Sequence, residues 1–114
     1  MTRSLHPVVA AARLFRAAFE QFLADLRPVL EFLADDTVRR YGLDRADRDA
    51  LIVAAEERLW EKRDQFRNAR DPAVLARRIA RQAMDALAVG ELLPDEQRLK
   101  LRARSRAKRG KGAS

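Results

Sequence analysis

The chain is 114 residues long, with 24 Lys and Arg against 17 Asp and Glu, one histidine and no cysteine. That length builds one modest core and excludes a second, and the lack of cysteine excludes a disulfide framework, a thiolate nucleophile and a thiolate metal site. The net charge of +7 is uneven: eight basic residues and no acid stand between Gln97 and Ser114, so residues 1–96 hold the other 16 cations against all 17 acids, a net of −1. The polyanion partner that a basic chain suggests therefore belongs first to the tail.

Read in chain order, the sequence predicts helices. Ser4 precedes Pro7, and from there Ala11, Phe15, Ala18, Phe19, Phe22, Leu23 and Leu26 recur at three- and four-residue spacing, one apolar stripe of a first helix. Arg3, Arg13, Arg16, Glu20 and Asp25 interrupt this stretch, which reads neither as a signal peptide nor as a membrane span. Pro28 removes an amide donor and crowds the preceding turn, so a kink or short break is expected before Val29, Leu30, Leu33 and Tyr41 continue in a second helix closed by Gly42.

Asp44 or Asp47 caps a third helix, with Leu51, Ile52, Ala55, Leu59 and Phe66 inward and its charged residues outward. The run 67–70 breaks the pattern. Asp71 followed by Pro72 is a cap and first-turn start for a fourth helix, running through Leu75, Ile79, Ala83, Ala86 and Leu87 to Gly90. After the stop at Leu93-Pro94, a short fifth helix is expected from Asp95 toward Leu101. Basic residues then alternate along 99–108, which reads as an extended or fraying arm. The expected fold is all-α: a compact bundle of four to five helices over 1–96, followed by a basic, disordered tail over 97–114.

The chemistry of catalysis is thin. His6 stands alone near the N-terminus, Asp35-Asp36 and Glu56-Glu57 are adjacent pairs that diverge by about 100° on a helix, and the glycines at 42, 90, 110 and 112 form no phosphate loop. The expectation is a non-enzymatic cytoplasmic protein with no cofactor, no metal, no membrane partner and no small-molecule substrate, acting by binding DNA or RNA. The tail supplies Arg98, Lys100, Arg102, Arg104, Arg106, Lys108, Arg109 and Lys111 for phosphates. Such contacts give salt-sensitive affinity without base readout.

The stretch from 49 to 87 is more specific. Asp49 to Trp60, ending in Leu59-Trp60, then Arg63-Asp64-Gln65-Phe66, then Arg78-Ile79-Ala80-Arg81-Gln82, resembles region 2 of the sigma-70 family of RNA polymerase factors, in its small extracytoplasmic-function branch. Upstream, Phe19, Phe22, Leu23, Arg27, Pro28 and Leu30 are similar to the opening helix of that region, so the resemblance spans roughly residues 15–90. It implies that the third helix docks on RNA polymerase core through Asp49, Leu51, Ile52, Glu56, Glu57 and Trp60. It also implies that the fourth helix meets DNA through Arg77, Arg78, Arg81 and Gln82, with Arg70 alongside, in a nucleoid-associated bacterial protein. The pattern departs from the family at Val53 and Ala54, where Gln and Glu are usual, at Val74 or Leu75, where an aromatic residue is usual, and at Asp85, one position early. No second helix-turn-helix domain follows. The implied arrangement sets the Trp60 helix and the Arg77–Arg81 helix on adjoining surfaces with the first helix behind them. Two other readings stay open: a non-specific architectural nucleic-acid binder, and a helical protein-interaction adaptor with a solubilising tail.

Overall fold

The computed structural model describes residues 7–97, 99–100 and 103–104, with side chains at 13 and from 15 onward. Ser4, His6 and the side chain of Ala11 lie outside the described residues. The fold is all-α, with no strand among the described residues. Three long helices build it: α1 (Pro7–Tyr41), α2 (Arg48–Glu61) and α3 (Pro72–Leu87). Short 3-10 turns at Arg45–Asp47 and Arg63–Asn68 flank α2, and a π-helical turn, Ala88–Leu92, extends α3. Helical backbone resumes at 95–97 and holds at 99–100 and 103–104.

The break expected at Pro28 does not occur; α1 runs through it for 35 residues, about 52 Å at 1.5 Å per residue. An internal proline costs about 3 kcal/mol, whereas burying each large aliphatic side chain contributes about 1.5–3 kcal/mol. Leu26, Leu30 and Leu33 are all buried on the same stripe, two of them beyond the proline. Pro28 itself is exposed, so the Ala24 carbonyl that loses its amide partner sits on the solvent side, where carbonyls tilt outward to water. The stripe outweighs the proline.

Gly42 ends α1 as expected. It adopts φ +62°, its N–H donates to the Arg39 carbonyl (3.4 Å), and the Leu43 N–H reaches back to the Val38 carbonyl (2.9 Å). These are the paired bonds of a Schellman cap, with Val38 and Leu43 both packed on the core. Asp44 caps the first 3-10 turn by accepting from the Ala46 N–H at 3.0 Å, while Asp47 precedes α2 without a side-chain cap bond. Arg48 then ties the start of α2 to α1, donating to Asp35 (2.6 Å) and Glu31 (3.3 Å). The Asp35 carboxyl is held below its ordinary range chiefly by that Arg48 hydrogen bond.

Leu51, Ile52, Ala55 and Leu59 form the buried face of α2, and Phe66, half-buried, packs against the core from the 3-10 turn that replaces the expected last turn of the helix. In α3 the buried set is Ala76, Ile79, Ala80 and Met84. The expected inner residue Ala86 is exposed, and Leu75, Ala83 and Leu87 are half-buried. Small alanines rather than leucines define this face because α3 packs against both other helices: its largest contact is with α2, and α1 lies against both. Nor does α3 stop at Gly90. The Leu93 N–H donates to the Ala88 carbonyl at 3.0 Å, carrying helical backbone to Leu92 before Leu93 turns extended and buries.

The short fifth helix expected from Asp95 toward Leu101 is present at 95–97 and 99–100, where Lys100 pairs with Glu96 one turn earlier at 3.6 Å, and the expected extended arm is corrected at 103 and 104, which are helical too. That i,i+4 pair and Pro94, with Asp95 beginning the turn after it, favour helix over an unpaired strand.

Candidate nucleic-acid interface

The Asp71 carboxylate accepts from the Val74 N–H at 3.2 Å and Pro72 occupies the first turn, so the start of α3 is fixed. Once α3 buries Ala76, Ile79, Ala80 and Met84, the 3.6-residue period sends Arg77 and Arg78 outward, and both are exposed. Neither makes an ion pair among the described residues, and Arg70, exposed just ahead of the cap, makes none either.

Arg77 and Arg81 border a groove of about 390 Å³ between α3 and α1, floored by Pro28, Val29, Phe32 and Leu33. Phe32 is 63% exposed and Val74 50%, so the basic face carries an aromatic ring and an aliphatic side chain in water. Phe32 is not among the residues that the sequence singles out. The signal for Phe32 was present: Val29, Leu30 and Leu33 define the inward stripe of α1, and position 32 falls outside it.

Arg81 is less free. It pairs with Asp36 at 3.3 Å, and Asp36 also receives Arg40 (3.4 Å) and Arg39 (3.8 Å). Arg40 in turn reaches Asp85 on α3 at 2.6 Å. These contacts fasten α1 to α3 and hold Arg81 in place beside the groove. Gln82, by contrast, does not join the other α3 residues. It lines the opposite groove, of about 520 Å³ between α2 and α3, with Glu57, Glu61 and Glu91. Three carboxylates against one nearby cation, Arg58, repel phosphate there, so Gln82 is removed from the basic face.

The predicted partner face on α2 is also revised. Leu51 and Ile52 are 0% and 1% exposed and offer nothing to a partner; the periodicity that made them core residues already excluded them from the surface. Asp49 and Glu57 are exposed, and Glu56 and Trp60 are half-buried. Spacings of four, three and four place Asp49, Val53, Glu56 and Trp60 on one side of α2, with Val53 51% exposed at its centre. Glu56 accepts from Arg27 of α1 at 2.8 Å. Trp60 packs on Phe19 (ring centroids 5.8 Å apart) and lies beneath the guanidinium groups of Arg16 (5.6 Å) and Arg63 (4.8 Å). It closes an aromatic cluster with Phe15, Phe22 and Phe66 while leaving one part of the ring to solvent.

Of the tail cations, Lys100 and Arg104 line a third recess with Arg40 and Tyr41. Arg98, Arg102, Arg106, Lys108, Arg109 and Lys111 lie outside the described residues. Among the described residues no three His, Cys, Asp or Glu side chains converge to hold a metal ion, and no helix is long and apolar enough to cross a membrane. Comparison with protein-family models, curated proteins and solved structures found no match.

Proposed function

We propose that this protein is a nucleic-acid-associated helical factor of the sigma region 2 kind, acting by binding rather than by catalysis: α3 faces DNA, and the outer side of α2 faces RNA polymerase. The observation that carries the DNA half is exposed Arg77, with no ion pair among the described residues, in one groove with exposed Phe32, with Val74 and Arg78 exposed alongside on α3, since cations serve phosphates and an exposed ring serves as a stacking platform. The polymerase half is supported by the solvent-facing stripe Asp49–Val53–Glu56–Trp60, and by α1 packing against both α2 and α3, the arrangement that the resemblance implies. Lys100 and Arg104 add phosphate contacts where the basic segment leaves the body.

Capture of RNA polymerase core from a defined mixture, run beside DNA binding by fluorescence anisotropy at about 50 mM salt, tests both halves. Val53→Arg, which sets a cation on an exposed residue amid that acidic stripe, should abolish capture and leave DNA binding intact. Arg77→Glu with Arg78→Glu should do the reverse. Absence of capture by the unmodified chain would sink the polymerase half, and absence of any salt-sensitive DNA binding would sink the other. If deleting residues 97–114 removes all DNA binding while Arg77→Glu removes none, the architectural reading, with the body as a scaffold for its tail, replaces this one.

A further inference from the structure

A recess where the C-terminal helical segment meets the end of α1 gathers three cations. Its walls are Arg40, Tyr41, Leu93, Gln97, Lys100 and Arg104, about 260 Å³ in volume, and no carboxylate is among them. Three cations of one protein draw together against their own repulsion only when something holds them. For Arg40 the holders are visible: Asp36 (3.4 Å) and Asp85 (2.6 Å) fix the guanidinium. Those two carboxylates engage two of its five N–H donors, and a guanidinium cannot be deprotonated, so donor capacity and charge both remain. Lys100 has only the exposed contact with Glu96 at 3.6 Å, and Arg104 has no ion pair among the described residues. Lys100 and Arg104 both face the recess.

The geometry points to this recess as a binding site for a phosphate group. Its donors come from two independent elements, the end of α1 and the C-terminal segment, and together they line an open recess. Gln97 adds an amide. Tyr41, whose phenol is pushed up from its ordinary pKa by burial and then by the Asp85 charge, gives its O–H to Asp85 and adds an aromatic wall to the recess. Leu93, 4% exposed, supplies an apolar wall. The volume suits one phosphate with a small appendage rather than a large cofactor. The site stands independently of the nucleic-acid reading, because a phosphate on a free nucleotide and one in a nucleic-acid backbone present the same oxygens. It is nevertheless connected to the α3 face, since Asp36 is shared by Arg40 here and Arg81 there.

Titration of the ¹⁵N-labelled full chain by NMR tests it, with three probes: inorganic phosphate, adenosine 5′-monophosphate and a short single-stranded oligonucleotide. Saturable shifts of the Tyr41, Leu93 and Gln97 amides are expected with phosphate. Lys100→Gln with Arg104→Gln, both on exposed side chains, should weaken them about tenfold or more, the loss of two charge-assisted contacts, while Arg13→Gln leaves them unchanged. A stronger response to the oligonucleotide, displaced by phosphate, assigns the site to backbone phosphates. A response to the monophosphate without one to the oligonucleotide assigns it to a free nucleotide. Linear, unsaturable shifts, or shifts indifferent to the double variant, overturn the proposal. An oligonucleotide that perturbs Phe32 and Arg77 while the recess is unmoved by all three probes overturns the recess alone; phosphate in the recess with no oligonucleotide binding anywhere overturns the nucleic-acid reading alone.

Discussion

The two flanks of α3 differ by a rotation of the same helix, yet one meets α1 with Arg77 and Arg81 over Phe32, while the other meets α2 with Gln82 and Ala83 beside Glu57, Glu61 and Glu91. Charge on a near-neutral body is thus sorted by helix face rather than by stretches of sequence. An anion approaching α3 is drawn to one flank and repelled from the other. Totals over the whole chain cannot express it, because Arg77 and Gln82 are only five residues apart.

The sharpest way to break the comparison is to remove the core that separates the flanks. Leu59 is fully buried in α2, and Leu59→Ala should cost about 2–5 kcal/mol of unfolding free energy in a denaturant titration, degrading both grooves together. Next, Arg77→Glu with Arg78→Glu should lower the slope of log affinity against log salt by about two, whereas Glu57→Lys with Glu91→Lys on the opposite flank should leave DNA binding equal or stronger. Equal losses from the two pairs would show that only net charge matters and that the sorted faces do not. Asp71→Ala, which removes the cap on α3, should cost about 1 kcal/mol, loosening Arg77 more than Gln82 because it frays the first turns.

The smallest effect concerns the clamp between α1 and α2. Arg48 holds the Asp35 carboxyl below its ordinary pKa, so the carboxylate form is favoured in the folded state. Its contribution is therefore complete at neutral pH and is lost as pH falls through the lowered folded-state value. Arg48→Met should flatten the acid limb of stability against pH; Asp35 is fully exposed, so the change should be slight, and an unchanged limb would assign that slope to other acids.

Much of the fold was legible because it depends on local rules. The inward face Leu51–Ile52–Ala55–Leu59 followed from period alone, the start at Asp71-Pro72 from cap chemistry, and the stop at Gly42 from the left-handed φ that glycine tolerates. Pro28 was misread because its local penalty is visible in the sequence while the three buried leucines that offset it are a property of packing. Gly90 was misread as a stop for a related reason: the π turn around it is closed by Leu93, which buries against the rest of the molecule.

The candidate site divides the same way. That Arg77 and Arg78 share an exposed helix, and that a run of cations begins near residue 98, are facts of the sequence. The sequence also placed Leu51 and Ile52 on the inner face, and their assignment to a partner surface yielded to that periodicity once their burial was known. Only the tertiary structure brought Phe32, 45 residues earlier in the chain, beside Arg77, separated Gln82 from the arginines, and set Arg40 opposite Lys100 and Arg104. Helical periodicity fixes which way a side chain points from its own axis; which neighbour stands there is decided by how three helices bury their stripes against one another.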